Sequence, residues 1–236
     1  MLPLVLESAC FAVPGGRRIV DQLSFTTSEP GCTVLLGPNG AGKTTVLKLC
    51  HGLIEPMAGS VSWAGTPAPE ARLSQAMVFQ KTVLLRRSTW ANIDHALRVR
   101  GVSTSNRKAR VSKALEWAGL SAVATSAARS LSGGEQQILS IARAWALDPE
   151  VLLLDEPTAN LDPRATRRVE ALIQSVVDAG RKVIMATHDI AQARRLADDV
   201  LVFNRGCLLE HSPAMRFFDR PSHPVAARFI NGELVD

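Results

Sequence analysis

The chain has 236 residues, of which 46% are apolar and 21% are charged, as expected of a soluble globular protein with one large domain. Its net charge of +5 predicts acidic partners such as phosphate groups. No apolar run is long enough to predict a membrane-spanning helix and no signal-peptide pattern begins the chain, so a cytoplasmic location is expected. The four cysteines fit no metal spacing and are expected to be unpaired, buried thiols.

The first strands are predicted on either side of a turn. Residues 2–12 are apolar with a loose alternation, and a second strand pattern at 18–27 follows Pro14-Gly15-Gly16. Together they predict an antiparallel hairpin beside a third strand at 32–36. Phe11 lies in the first strand, where its ring could stack on a nucleotide base or could be a core aromatic. These residues leave both interpretations open.

A glycine-rich loop follows the third strand. It matches the P-loop spacing, in which backbone N–H groups line a hollow at a helix N-terminus and favour phosphate. Lys43 adds positive charge for the terminal phosphates, and Thr44 adds a hydroxyl for Mg²⁺. The loop therefore predicts binding of a nucleoside triphosphate. The predicted contacts are Gly37, Pro38, Asn39, Gly40, Ala41, Gly42, Lys43, Thr44 and Thr45.

Strand signals continue to residue 80 and then give way to helices. Gln80 would emerge at the end of a strand predicted at 76–80, where its carbonyl could meet a metal or a water. Helical periodicity predicts an α-helical sub-domain inserted at about 82–147. The basic residues around Arg107 have no interleaved aromatics, so nucleic acid is not an expected partner. The other elements predicted here are a strand at 59–64 and helices at 90–99, 107–118 and 136–147.

The last of these helices begins with a motif that capping alone does not explain. Ser132 and Glu135 fit a capping box. Two consecutive glycines are not needed for a cap, and each costs a helix about 1 kcal/mol relative to alanine. Gly133 and Gly134 make sense if a ligand must approach this backbone closely, because a helix N-terminus favours an anion.

Two adjacent carboxylates follow an apolar run at 151–154. Such a run predicts a buried parallel strand, and open α/β sheets bind ligands at the carboxyl ends of their strands. Asp155 is therefore expected to serve the shell of Mg²⁺, and Glu156 to orient or deprotonate water.

The remaining elements complete an α/β fold. Asp162 is predicted to cap a helix that ends at Gly180. His188 follows a strand, where a lone histidine is more often structural than catalytic. The later elements predicted are a strand at 182–187, a helix capped by Asp189, strands at 199–203 and 207–210, and a short tail at about 212–236.

Three motifs in this order carry a family resemblance: the P-loop, Leu-Ser-Gly-Gly-Glu at 131–135 (the signature) and Leu-Leu-Leu-Asp-Glu-Pro at 152–157. From about residue 2 to the 220s, the chain resembles the ATP-binding subunit of an ABC transporter. The signature is the most specific element, since other P-loop families lack it. The resemblance implies one domain over 1–236, with a P-loop NTPase core, an antiparallel β sub-domain and an inserted helical sub-domain.

The resemblance also implies roles for single residues. Ser132, Gly133 and Gly134 would close on the γ-phosphate of ATP bound to the opposite subunit of a head-to-tail homodimer. Asp162 would lie at the dimer seam. The residues implied to act within their own subunit are the P-loop's Lys43, Thr44 and Thr45, the metal contacts Gln80 and Asp155, the catalytic base Glu156, and His188 on the γ-phosphate.

The chain departs from the family at two positions. The usual adenine-stacking residue is a tyrosine, but this chain has no Tyr, so Phe11 would have to stack on the base. Ile138 stands where the family commonly has an arginine after the signature, which removes a local contact and leaves the chemistry intact.

The resemblance implies a bacterial importer ATPase that uses ATP and Mg²⁺. Its permease would be a separate chain, which docks at residues 80–88 with Leu84 and Leu85 as apolar anchors and Arg86 and Arg87 as charges. An extracytoplasmic solute-binding protein would take part indirectly, and the subunit would lie on the cytoplasmic face of the inner membrane.

The expected solute is an oxyanion, because 81–88 and the ending at 229–234 look similar to tungstate-type importers. A soluble ABC protein that acts on ribosomes or DNA is the first alternative. A P-loop kinase or a nucleotide-binding module without a transporter is the second, and it leaves the signature unexplained.

Overall fold

A computed structural model describes residues 1–233 of the chain. Leu234, the last residue of the predicted ending at 229–234, lies outside the described residues, as does the end of the predicted tail at 212–236. Among residues 1–233, no helix is both long enough and apolar enough to cross a membrane.

Strands and α-helices alternate along most of the described chain. The strands are β1 (Leu4–Ala12), β2 (Arg18–Thr27), β3 (Cys32–Leu36), β4 (Ala58–Trp63), β5 (Thr66–Pro67), β6 (Gln75–Val78), β7 (Val151–Asp155), β8 (Lys182–Thr187), β9 (Asp199–Asn204) and β10 (Cys207–Pro213). The helices are α1 (Lys43–His51), α2 (Ala68–Ala71), α3 (Thr89–Val99), α4 (Thr104–Trp117), α5 (Gly133–Trp145), α6 (Pro163–Asp178), α7 (Ile190–Leu196), α8 (Ala214–Asp219) and α9 (Pro224–Ile230). The sequence did not predict β5 and α2, whose two and four residues are too short for a periodic signal.

The strands form two separate sheets. The smaller has the order β2-β1-β4-β5 and is antiparallel, which confirms the predicted hairpin of β1 and β2. The larger has the order β10-β9-β3-β8-β7-β6. Its neighbours from β9 to β6 are parallel, and β10 is antiparallel to β9. The chain therefore has a mostly parallel sheet beside a separate antiparallel sheet.

The central strands bring the predicted motifs to one edge of the larger sheet. Every residue of β3, β7 and β8 is buried, as their largely apolar sequences predict for strands covered on both faces. Leu36 pairs with Thr187, and Asp155 pairs with Ala186. The carboxyl ends of the three strands are therefore neighbours, and the loops that follow them meet at this edge.

Helix α1 lies between the two sheets. Its Val46, Leu47 and Leu49 are buried in a core to which both sheets contribute. Trp63 of β4 donates a hydrogen bond from Nε1 to the carbonyl oxygen of Cys50 at 2.7 Å. Trp63 is itself buried, so its truncation to alanine would cost about 3–5 kcal/mol. The smaller sheet is thereby fixed to the helix that begins at the phosphate loop.

Helices α3, α4 and α5 pack on one another and form the helical insertion that the sequence predicts. Their contact is an apolar core that includes Ile93, Val111, Leu115 and Ile138. Each helix begins before the residue where its apolar periodicity starts. In α3 and α5 a serine at the N-cap accepts a backbone N–H, so the helix begins at the next residue.

The cysteines are unpaired, but they are not all buried. Cys32 and Cys50 are buried, Cys10 is half-buried, and Cys207 is exposed on β10. The expectation of four buried thiols is therefore wrong for Cys207 and for the half-buried Cys10.

Candidate active site

The phosphate loop joins β3 to α1, and close backbone contacts explain two of its glycines. Gly37 has φ +154°, and a side chain there would collide with the carbonyl oxygen of Phe203. Gly42 is the N-cap of α1 with φ +97°, and a Cβ at this position would lie 2.8 Å from the carbonyl oxygen of Ile19. The loop is therefore held between β9 on one side and β2 on the other.

Lys43 is buried at the base of this loop. Its Nζ donates to the carbonyl oxygens of Gly37 at 2.7 Å and Pro38 at 3.0 Å. Burial lowers its pKa, while the nearby carboxylates of Glu156 and Asp155 raise it. Phosphate oxygens are charged acceptors and bind an ammonium more strongly than carbonyl oxygens do. The Lys43 ammonium can therefore exchange these carbonyls for a phosphate.

Thr44 and Asp155 form an oxygen pair beside the loop. Thr44 Oγ1 donates to Asp155 Oδ1 at 2.9 Å. Burial raises the pKa of Asp155, and the hydrogen bond from Thr44 opposes that shift. A buried carboxylate with a neighbouring hydroxyl fits Mg²⁺, which prefers oxygen ligands and completes its shell with phosphates and water. In the described chain no group of three or more His, Cys, Asp or Glu side chains could hold a metal.

Glu156 follows β7 with the backbone in the left-handed region, at φ +46°. For a non-glycine residue this conformation costs about 1–3 kcal/mol and is most common at functional sites. Glu156 Oε1 lies 2.9 Å from Nδ1 of His188 and 3.8 Å from Nζ of Lys43. The three residues predicted to be catalytic therefore form one group, which we call the catalytic cluster.

Two adjoining pockets open beside the catalytic cluster. The first has a volume of about 440 Å³ and the second of about 420 Å³. Gln80, Asn39 and Glu156 line both, so the geometry brings Gln80 to the phosphate loop although it lies beyond the end of β6. The sequence did not predict the lining of the second pocket by Thr158, Ala159, Asn160, Thr187 and Asp189.

Phe11 lines neither pocket. It pairs with Val20 across the hairpin, and its half-buried side chain packs against the core between the two sheets. The base-stacking role predicted for Phe11 stays a prediction. The hairpin residues that do line the first pocket are Arg17 and Ile19, which the sequence prediction missed. Their position just after the turn at Pro14-Gly15-Gly16 is the one feature of the sequence that could have indicated that they reach the phosphate loop.

The signature also lies outside both pockets. Ser132 and Glu135 form the predicted capping box at the start of α5, with Ser132 N donating to Glu135 Oε2 at 2.9 Å. Gly133 faces open space, whereas a Cβ at Gly134 would lie 2.6 Å from that of Ala165. Ligand approach is thus not needed to explain Gly134. Close packing of α5 against α6 is sufficient to explain Gly134, whereas Gly133 keeps an open face.

Asp162 caps α6 as predicted. Its Oδ1 accepts from the N–H groups of Arg164 at 2.8 Å and Ala165 at 2.9 Å, and these backbone hydrogen bonds lower its pKa. Because Ala165 also touches Gly134, the starts of α5 and α6 are adjacent. The signature and Asp162 therefore belong to one surface, separate from the pockets.

A family model described as ABC transporter matches residues 20–159. The chain belongs to the ABC transporter family. Phosphate import ATP-binding protein PstB 2 of Natronomonas pharaonis is 37% identical to this ABC protein, over 93% of the chain and 84% of the relative. Tungstate uptake system ATP-binding protein TupC of Peptoclostridium acidaminophilum is 37% identical, over 81% of the chain and 90% of the relative. Methionine import ATP-binding protein MetN of Nocardia farcinica is 39% identical, over 84% of the chain and 62% of the relative.

The fold agrees with that of solved ABC proteins. The structure of cbiO1 from Clostridium perfringens, described as part of the ABC transporter complex cbiONQ, has a TM-score of 0.83 at 25% identity. The match covers 92% of this chain and 90% of that one. The ABC protein is therefore an ATPase that binds nucleotide, and the P-loop kinase interpretation is wrong. Ile138, the departure after the signature, is fully buried in the core of the helical insertion.

Proposed function

We propose that the chain is the ATP-hydrolysing subunit of a solute importer whose permease is a separate chain. The observation that carries the proposal is the catalytic cluster at the phosphate pocket, where Glu156 lies within 3.8 Å of both His188 and Lys43. The printed names of the relatives, which are ATP-binding proteins of import systems, support the link to transport.

The phosphate loop and its neighbours bind the triphosphate. Backbone N–H groups at the start of α1 and the Lys43 ammonium hold the terminal phosphates. Thr44, Asp155 and Gln80 are the residues that would hold Mg²⁺. When bound, this ion neutralises charge on the phosphate oxygens.

Glu156 acts as the base in hydrolysis. Its carboxylate orients a water molecule and takes its proton as the water oxygen bonds to the γ-phosphorus and the bond to the β–γ bridging oxygen breaks. The products are ADP and inorganic phosphate. His188 holds the carboxylate in place through Nδ1 at 2.9 Å, and its side chain is half exposed toward the second pocket. From there it contacts the γ-phosphate.

The signature serves the ATP of a second subunit. Ser132, Gly133 and Gly134 are absent from the lining of the pockets beside their own P-loop. The N-terminus of α5 with the open face of Gly133 nevertheless suits an anion. A head-to-tail homodimer with two-fold symmetry would bring each signature to the partner's phosphate pocket and give two equivalent sites.

The permease docks in a groove between the larger sheet and the helical insertion. The groove has a volume of about 640 Å³. Its rim carries the exposed apolar side chains of Phe79, Val83 and Val99, which a monomeric protein seldom gathers in one place. Leu84, predicted as an anchor, is buried in the core at 6% exposure, so Leu85 and Val83 are the anchors instead.

The polar groups of the groove indicate the chemistry of its occupant. The described residues that line it include the cationic Lys81, Arg100 and Arg143 but no acidic side chain. Gln75 and Ser140 also line it, and their buried side-chain polar atoms have no hydrogen-bond partner within the described chain. A permease segment with apolar anchors and acidic or amide groups would complement this surface.

Gln80 links the groove to the nucleotide. It lines both phosphate pockets, while its neighbours Phe79 and Lys81 line the groove. A permease segment that displaces Phe79 therefore moves the backbone that carries Gln80. This arrangement supports coupling of hydrolysis to transport.

The solute and the location complete the proposal. We infer an oxyanion such as tungstate, which the relatives named for phosphate and tungstate support and the relative named for methionine does not. A solute-binding protein outside the cytoplasm would deliver it to the permease. The subunit would then lie on the cytoplasmic face of the membrane.

Two measurements test the proposal. Purified chain should hydrolyse ATP with Mg²⁺, and Glu156→Gln should bind ATP and barely hydrolyse it. Affinity purification from solubilised membranes should recover a multi-span permease with the chain. Recovery with ribosomes or DNA instead would support the soluble ABC alternative and overturn the importer.

A further inference from the structure

Gln192 is a buried residue of α7, the helix that begins shortly after His188. Its Nε2 donates to Oγ1 of Thr158 at 2.7 Å and, more weakly, to Oε1 of Glu170 at 3.4 Å. Thr158 lies in the loop that follows β7, and Glu170 lies on α6. One side chain therefore joins three segments of the fold: the helix after His188, the loop after Glu156, and α6.

The carboxylate of Glu170 fixes the direction in which the Gln192 amide points. Arg195 donates to both oxygens of this carboxylate, from Nε at 2.9 Å and from Nη2 at 2.6 Å. A carboxylate only accepts hydrogen bonds, so the amide nitrogen of Gln192 must face it. The amide oxygen is left buried, with no hydrogen-bond partner within the described chain. Such an unpaired acceptor destabilises a core, where an apolar side chain would pack better. This indicates that the amide is there for its contact with Thr158.

The loop that Gln192 contacts has a backbone that needs support. Glu156 and Asn160 are both in the left-handed region, with φ +46° and φ +61°. For non-glycine residues such conformations persist only where the surrounding structure holds them. Thr158 lies midway between the two. Its hydrogen bond to Gln192 therefore fixes the centre of this loop to α7.

We propose that Gln192 is a positioning residue for ATP hydrolysis, which holds the Glu156 carboxylate at His188. Glu156 Oε1 lies 2.9 Å from His188 Nδ1, and these two residues belong to the two segments that Gln192 joins to Thr158. Without the amide, the loop can shift relative to α7, and the carboxylate no longer orients water at the γ-phosphate. Gln192 lines neither phosphate pocket, so it acts through the loop and does not touch the nucleotide. This inference rests on the proposed function and deepens it.

Steady-state hydrolysis of Mg²⁺–ATP by the full chain, with calorimetry of Mg²⁺–ADP, tests the assignment. Gln192→Met keeps the size of the side chain and removes the amide. It should lower kcat roughly ten- to a hundredfold, as a small misplacement of a catalytic group does. The KM for ATP and the Kd for ADP should stay within about twofold, because the phosphate loop is unchanged. Thr158→Val should lower kcat by a similar factor, and Thr158→Ser should recover most of the turnover that Thr158→Val loses.

A double-mutant cycle shows whether the two side chains act through one contact. The losses in Gln192→Met and Thr158→Val should not multiply in the double variant, because both remove the same hydrogen bond. Ser212→Ala is the matched control, since it also removes one buried side-chain hydrogen bond, from Ser212 Oγ to Glu210 Oε1 at 2.8 Å, but on β10. It should lower the melting temperature and leave kcat unchanged. Gln192→Met also removes the unpaired amide oxygen, so its melting temperature should fall no further than that of the control.

Four results would overturn the proposal. An unchanged kcat in Gln192→Met would show that the amide serves only the core, and a raised KM with unchanged kcat would place it in nucleotide binding. Full multiplication of the two losses would separate Gln192 from Thr158. A kcat that simply follows the melting temperature across all the variants would make the effect one of stability. If the unmodified chain hydrolyses no ATP, the proposed function itself fails, and this inference fails with it.

Discussion

The methyl group of Ala165 fills the space that a side chain at Gly134 would need, since a Cβ there would lie 2.6 Å from the Ala165 Cβ. Gly133, one residue earlier, has nothing within 4 Å of such an atom. The two adjacent glycines of this motif are therefore explained differently. Gly134 allows α5 to pack closely on α6, whereas Gly133 leaves an open face at the start of α5.

This difference predicts opposite behaviour for two alanine variants. Gly134→Ala should lower the free energy of unfolding by about 1–3 kcal/mol, as overpacking of a close contact does. Gly133→Ala should keep stability within about 1 kcal/mol and still reduce ATP hydrolysis, because its methyl group would occupy the face offered to the partner's γ-phosphate. Denaturant titration and ATPase assays measure the two effects. Equal stability losses would contradict the packing explanation.

Lys43→Ala should abolish ATP hydrolysis and weaken nucleotide binding. The ammonium lies among groups directed at phosphate and beside Glu156 at 3.8 Å. Removing one such electrostatic contact costs about a hundredfold or more in turnover. Steady-state ATPase assays check the rate, and calorimetry checks the affinity. Wild-type turnover in the variant would contradict a catalytic role for Lys43.

Glu156→Gln should accumulate as an ATP-bound dimer. The amide keeps the length of the side chain and can still bond to His188 Nδ1, 2.9 Å from the present carboxylate, but it cannot take a proton. Light scattering with and without ATP should show the dimer only with ATP.

Ser132→Arg in the same background should stay monomeric, because the bulk at the start of α5 blocks the partner's nucleotide. Ser132→Ala is the matched control, since it loses the same cap but adds no bulk. A Glu156→Gln protein that remains monomeric at saturating ATP would contradict the head-to-tail dimer.

Val83→Asp should uncouple transport while the isolated subunit keeps its basal hydrolysis. Val83 is 67% exposed at the rim of the groove, where a carboxylate would replace an apolar anchor. Met215→Asp is the control, because Met215 is 89% exposed and does not line the groove. Transport and hydrolysis are measured in vesicles that contain the permease. Equal transport rates for Val83→Asp and Met215→Asp would contradict docking of the permease in the groove.

The thiols should differ in reactivity. Burial raises the pKa of Cys32 and of Cys50 to about 12, so both stay protonated and enclosed in the folded chain. A maleimide reagent at neutral pH should therefore label exposed Cys207 first. Mass spectrometry of the labelled peptides checks the order. Early labelling of Cys32 or Cys50 would indicate local opening of the core.

The sequence predicts the parts of the fold that depend on local pattern. Largely apolar sequences predict β3, β7 and β8, which are buried along their whole length. Ser132 and Asp162 are confirmed as helix N-caps. Caps can be predicted from the sequence because the capping side chain bonds a backbone N–H within four residues of it.

The remaining features depend on contacts between distant residues. The packing of Gly134 on Ala165 joins two helices, and nothing near either residue in the sequence signals it. Leu84 and Val83 are both apolar, but only the folded chain shows which of them is buried. Phe11 packs against the core between the two sheets, and only the folded chain shows that Arg17 and Ile19 of the same hairpin line the phosphate pocket.

The position of Gln80 between Phe79 and Lys81 also predicts how the proposed coupling of ATP hydrolysis to transport responds to mutation. Consecutive Cα atoms are about 3.8 Å apart. Gln80, which lines the phosphate pocket, is therefore joined to Phe79 and Lys81, which line the groove, by covalent bonds and not by a series of side-chain contacts. Core substitutions that lower stability should therefore leave the number of solutes moved per ATP unchanged. An inserted glycine beside Gln80 should lower that ratio while the fold keeps its melting temperature.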